Sequence, residues 1–149
     1  MGQAADPVPA PARRGAHLLL VEDEDRLRDR LAGALRRLGY AVTAVPDAPA
    51  ALGALAEGAV PDLLLTDVVL PGGMSGVGLA RAMRASRPGL PVLLLSGFAM
   101  APPAGPDALP LLAKPCPLPL LERQLEACWH RAQRYDGPSP PPRGMMAAR

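Results

Sequence analysis

The chain has 149 residues, of which 49 % are hydrophobic, with a formal charge of +2 and two cysteines. That length supports one domain with a real core, and between His17 and Tyr135 twelve Lys and Arg balance twelve Asp and Glu, which leaves no electrostatic footprint for nucleic acid. No apolar run reaches the roughly 18 residues that cross a bilayer, no secretory leader is recognisable, and two cysteines outside any CxxC pair read as reduced core thiols, so a cytoplasmic protein without membrane or nucleic-acid partners is expected.

Residues 1–16 are Pro, Ala and Gly rich without apolar period and read as a disordered tail, as do residues 136–149; the folded domain is expected over 17–135. The first strand is LLLV (residues 18–21), which runs straight into Glu22, Asp23, Glu24 and Asp25. Crowded carboxylates are costly: at an effective dielectric of ~20, two like charges about 4 Å apart repel by roughly 4 kcal/mol. Something must offset that repulsion, although Glu24 and Asp25 gain from the field of a helix start. In the helix that follows, Leu27, Leu31, Leu35 and Leu38 form one stripe ended by Gly39. Arg26, Arg30, Arg36 and Arg37 flank it as a solvated face.

YAVTAV (40–45) is the second strand, after which Asp47 caps a helix running to about Glu57 with Pro49 in its first turn. DLLLT (62–66) is the third strand and is followed by Asp67. The LPGGMSG loop (70–76) reads as turn chemistry ending in a Ser75 cap, and a helix over 76–87 is closed by "RPG". PVLLL (91–95) is the fourth strand, followed by Ser96, and PLLA (110–113) the fifth, followed by Lys114. Between Ser96 and Lys114 four prolines and no helical period stand where a fourth helix belongs, so that helix is expected to be short or missing. A last helix over 118–134 carries Leu121, Leu125, Cys128 and Ala132 on one side, with Trp129 as packing and His130 as a partner of the C-terminal dipole.

Short apolar runs alternating with helical stretches specify a doubly wound parallel α/β sheet. In the flavodoxin-like order 2-1-3-4-5 the first and third strands are neighbours, and ligands bind beyond the carboxyl ends of the strands. Glu22, Asp23 and Asp67 then reach one point, with Ser96 and Lys114 on the same rim. Three hard oxygen donors without His or Cys suit Mg²⁺, which also answers the repulsion. Lys114 is the only lysine among 16 Lys and Arg residues. A compact ammonium on a flexible stem is what Arg cannot supply, and Pro115 lowers the cost of a cis bond that would help aim it.

"LLLVEDED", "LLLTDVVLPGGMSG", "VLLLSGFA" and "LLAKP", each at a strand end, resemble the receiver domain of bacterial two-component response regulators over about residues 17–134. The resemblance implies that Asp67 accepts a phosphoryl group from a phosphohistidine. Glu22, Asp23, Asp67 and the backbone carbonyl of Val69 would hold Mg²⁺, and Ser96 and Lys114 would bind phosphoryl oxygens. The implied partners are a histidine kinase or histidine phosphotransfer protein and a downstream protein target; a phosphate sink is the other role.

The usual aromatic three positions before the lysine is Leu111 here, which leaves Phe98 as a substitute switch or an ordinary core ring. The helix-poor segment is similar to a receiver subgroup linked to histidine-kinase systems, and residues 98–110 are expected to order on phosphorylation or partner binding. Val69 and Phe98, two beyond Asp67 and Ser96, are apolar and cannot orient water, which predicts slow loss of phosphate. The sequence reads as a stand-alone receiver. Two alternatives are a docking module independent of phosphorylation and a Mg²⁺-dependent hydrolase, the latter wanting an acid where Val69 stands.

Overall fold

The computed structural model describes residues 15–97 and 109–134. Five strands, β1 (His17–Val21), β2 (Ala41–Val45), β3 (Leu63–Asp67), β4 (Val92–Ser96) and β5 (Leu111–Ala113), form one parallel sheet in the order β2-β1-β3-β4-β5. Among the described residues four helices, α1 (Asp25–Arg37), α2 (Ala48–Ala56), α3 (Gly76–Ser86) and α4 (Leu118–Gln133), cover it. This is the expected flavodoxin-like 2-1-3-4-5 sheet.

Alternation along each strand feeds two cores. Leu18, Leu20, Leu63, Leu65, Leu93 and Leu95 face α1 and α4, where Leu35, Leu121, Leu125 and Cys128 meet them. Leu19, Val21, Leu64, Val92 and Leu94 face α2 and α3, against Ala48, Ala51, Leu79, Ala80 and Met83. Burial on both faces explains why the central runs are continuously apolar. On α1 the fully buried positions are Ala32, Ala34 and Leu35, whereas Leu27, Leu31 and Leu38 are half-buried. Leu31, Leu35 and Leu38 of the expected stripe pack into the core, joined by Ala32 beside them. Arg26, Arg30, Arg36 and Arg37 are exposed, as expected.

The caps follow the sequence. Asp47 accepts a hydrogen bond from the Ala50 N–H at 2.8 Å, and Ser75 accepts one from Gly78 at 3.0 Å. Asp47→Ala is expected to lower stability by about 1 kcal/mol, measured as a shifted urea midpoint. Gly72 and Gly73 take φ of +91° and +95°, the left-handed turn that brings the chain from β3 back to α3.

Strand ends differ from the sequence reading by one residue. β3 includes Asp67, which pairs with Leu95, and β4 includes Ser96, which pairs with Ala113. Hydrophobicity stops at the polar residue while the backbone ladder continues through it. The segment 98–108, with Phe98, lies outside the described residues. The expected absence of a fourth helix and the ordering of 98–110 both fall mainly on it.

Candidate functional site

Glu22 follows β1, Asp67 ends β3, Ser96 ends β4 and Lys114 follows β5, so four neighbouring strands deliver polar groups to one edge of the sheet. Glu22, Asp67 and Ser96 are buried, with 1 %, 4 % and 3 % of their surface exposed, whereas Asp23 is exposed. Carboxylate oxygens of Glu22, Asp23 and Asp67 lie within 4.8 Å of one another. The convergence expected from strand order is present.

Lys114 closes the site. Its Nζ donates to Glu22 Oε1 at 3.0 Å, and it stands 2.8 Å from Asp67 Oδ1, an ion pair without the alignment of a directed hydrogen bond. The Lys114 backbone N–H also donates to Ser96 O at 2.7 Å, and the Lys114–Pro115 peptide is cis. One ammonium therefore bridges both buried acids, which offsets part of the repulsion without any metal.

The two acids respond differently. Burial opposes the charge of Glu22, but the Glu24 N–H, at 3.0 Å from Oε2, and the Lys114 ammonium outweigh it and hold its pKa below the ordinary value. Burial, aided by the contact with Glu22, pushes Asp67 up to about 7, against the pull of Lys114. Burial also disfavours the Lys114 charge, yet the carboxylates of Asp67 and Glu22 raise its pKa overall. With Glu22 and Asp67 sharing one lysine, the proton affinity of Asp67 rises into the neutral range. The donor set consists of hard oxygens, which fits Mg²⁺ rather than a softer metal.

Val69 is 60 % exposed just beyond Asp67, and its side chain offers no polar group. Leu111 is half-buried against the core rather than presenting an aromatic ring. A groove of about 190 Å³ lined by Asp62, Arg87, Pro91 and Trp129 lies at the opposite, amino ends of the strands. It takes no part in this site.

Two residues escaped the sequence reading. Gly76, the first residue of α3, packs so tightly that a Cβ there would lie 1.8 Å from the Asp67 carbonyl oxygen. Its N–H donates to Val68 O at 2.8 Å, fastening the helix start to the loop after Asp67. A glycine directly after the Ser75 cap, where most residues serve, was the available signal. Arg28 is the other: Nη1 donates to Glu22 O at 2.9 Å and Nη2 to Asp25 Oδ1 at 2.7 Å. Its spacing of three from Asp25 was the only hint. Asp25 thus has an ion pair as well as the helix field.

Comparison with known proteins agrees with this geometry: the response regulator receiver domain matches residues 18–122. The chain belongs to the response regulator receiver family. Transcriptional regulatory protein CseB of Streptomyces avermitilis is 43 % identical over 83 residues, covering 56 % of this chain and 34 % of that protein. Sensory transduction protein RegX3 of Mycobacterium bovis is 43 % identical over 79 residues, 53 % of this chain and 34 % of that protein. This receiver spans about a third of the length of those relatives. Among solved structures, a response regulator receiver protein from Sinorhizobium medicae superposes with a TM-score of 0.71 at 28 % identity, covering 79 % of this receiver and 97 % of that chain. The receiver domain of the hybrid histidine kinase CckA gives 0.65 at 31 % identity, covering 76 % and 99 %.

Proposed function

We propose that this receiver is the phosphoacceptor of a two-component phosphorelay, with Asp67 as the nucleophile. The observation that carries the reading is the pair of buried acids, Glu22 and Asp67, joined by the half-buried Lys114, with Asp23 close enough to complete a hard cation site. Glu22, Asp23 and Asp67, with the Val69 carbonyl, are the groups that would hold Mg²⁺. When bound, the ion supplies positive charge for the oxygens of the phosphoryl group.

Asp67 must be ionised to react, and Lys114 beside it favours that form. A carboxylate oxygen of Asp67 forms the new O–P bond as the P–N bond to a partner's imidazole breaks and the imidazole leaves with the electron pair. Lys114 stabilises charge on the transferring group, and the Ser96 hydroxyl at the end of β4 donates a hydrogen bond to one of its oxygens. The donors are a histidine kinase or phosphotransfer protein, and output passes through contacts with a further protein or ends as a phosphate sink.

Intact-mass measurement after incubation with acetyl phosphate and Mg²⁺ tests this. Wild type is expected to gain one phosphoryl group, and Asp67→Asn none. No adduct on wild type would favour a docking module, and rapid turnover of phosphate esters a hydrolase; either result overturns the proposal. Because Val69 offers no group to orient water, the adduct is expected to persist for hours when the reagent is removed. Decay within seconds would contradict that account of its lifetime.

A further inference from the structure

Among the arginines of α1, Arg26, Arg30, Arg36 and Arg37 are exposed, but the Arg28 side chain is only 18 % exposed. An exposed pair spaced by three residues is worth little by itself, and Asp25 is 83 % exposed. The second contact is different. Arg28 reaches back six residues to the carbonyl of Glu22, the residue at which the chain leaves β1.

That carbonyl belongs to the peptide link that leads into Asp23. The Glu22 N–H is tied to Val45 O at 3.0 Å, and the Glu24 N–H to Glu22 Oε2 at 3.0 Å. The carbonyl between them is tied to the guanidinium. Asp23 itself is exposed, so packing against the core does not hold its side chain. We propose that Arg28 is a positioning residue: by clamping the Glu22 carbonyl to Asp25 it fixes the Glu22–Asp23 peptide and thereby aims the Asp23 carboxylate at the cation site. The cation part of this inference rests on the phosphoacceptor reading; the clamp on the peptide does not.

Charge and positioning act with opposite signs. A guanidinium near a cation site repels Mg²⁺, so if charge alone mattered, Arg28→Ala would bind Mg²⁺ more tightly. Positioning predicts the reverse, a loss of about tenfold, in the range found when groups orienting metal ligands are removed. Arg28→Lys keeps the charge but lacks the fork that spans Glu22 O and Asp25. It is expected to recover only part of the loss.

The test is Mg²⁺ titration of wild type, Arg28→Ala and Arg28→Lys, with amide exchange measured on the metal-free proteins. Weaker Mg²⁺ binding by Arg28→Ala, together with faster exchange at the Glu24 amide and unchanged exchange at Leu64 in the central strand, is the expected result. Unchanged or tighter binding by Arg28→Ala, a Lys variant identical to wild type, or an unaltered Glu24 amide would overturn it. If wild type binds no Mg²⁺ at the acid turn, the phosphoacceptor reading fails on its own, and the Glu24 exchange rate still decides whether Arg28 clamps the peptide.

Discussion

Asp67→Asn is expected to make the metal-free protein more stable than wild type by about 1–3 kcal/mol at pH 8. The folded state raises the Asp67 pKa from 3.8 to about 7, with burial as the first cause and Glu22 as the second. Between those values the folded chain binds a proton that the unfolded chain has released, so stability falls as pH rises. The contribution of the protonated group is complete below 3.8 and is lost as pH passes about 7. Above that, the fold confines a second carboxylate beside Glu22 with one lysine between them. Asparagine removes that charge at nearly constant volume. The gain is smaller than the full shift implies because Lys114 also loses a partner. Urea denaturation across pH checks this: the gap between variant and wild type should narrow as pH falls from about 7 toward 4. Saturating Mg²⁺ should close it at pH 8, since a ligand that binds only the folded wild type stabilises it. A destabilised Asp67→Asn at pH 8, or a gap that widens in acid, would contradict the electrostatic account.

The second large effect is steric. Gly76→Ala is expected to cost about 3 kcal/mol, because the added methyl meets the Asp67 carbonyl, a backbone atom with no rotamer to yield. Relief requires moving the start of α3 away from the end of β3, and Asp67 with it. Phosphorylation by acetyl phosphate should therefore slow as well. Gly53→Ala is the control. It lies within α2, and nothing stands within 4 Å of its added carbon. That change should instead stabilise by about 0.5–1 kcal/mol. Equal urea midpoints for the two variants would show that the close approach at Gly76 is not rigid.

Much of this was legible in the sequence because two simple periodicities carry it. Leu18 to Val21, Leu63 to Leu65 and Val92 to Leu95 are apolar without interruption, as strands buried on both faces must be. Once the strand order is set, Glu22, Asp67, Ser96 and Lys114 fall on one edge because each marks the place where an apolar run ends. The same reasoning placed Asp67 and Ser96 just outside their strands, since side-chain polarity does not report where backbone pairing stops. What it could not see were contacts that depend on three-dimensional distance. Gly76 looks like any glycine near a cap until Asp67 O is found against it. Arg28 looks like one more surface arginine until its fork is found on Glu22 O. The double role of Lys114 was half seen: the sequence supplied a lone amine opposite the acids, and only the geometry shows it joined to both of them. The intended role of Phe98 falls outside the described residues.

Glu22, Asp23 and Asp67 are expected to act together as one cation site beside Lys114. Backbone amide NMR of the protein titrated with Mg²⁺ is the decisive measurement. Saturable shifts centred on residues 22–24 and 67–69, weakened in Asp23→Asn, are the predicted result. Shifts that never saturate, that gather elsewhere, or that are unaffected by Asp23→Asn would contradict it.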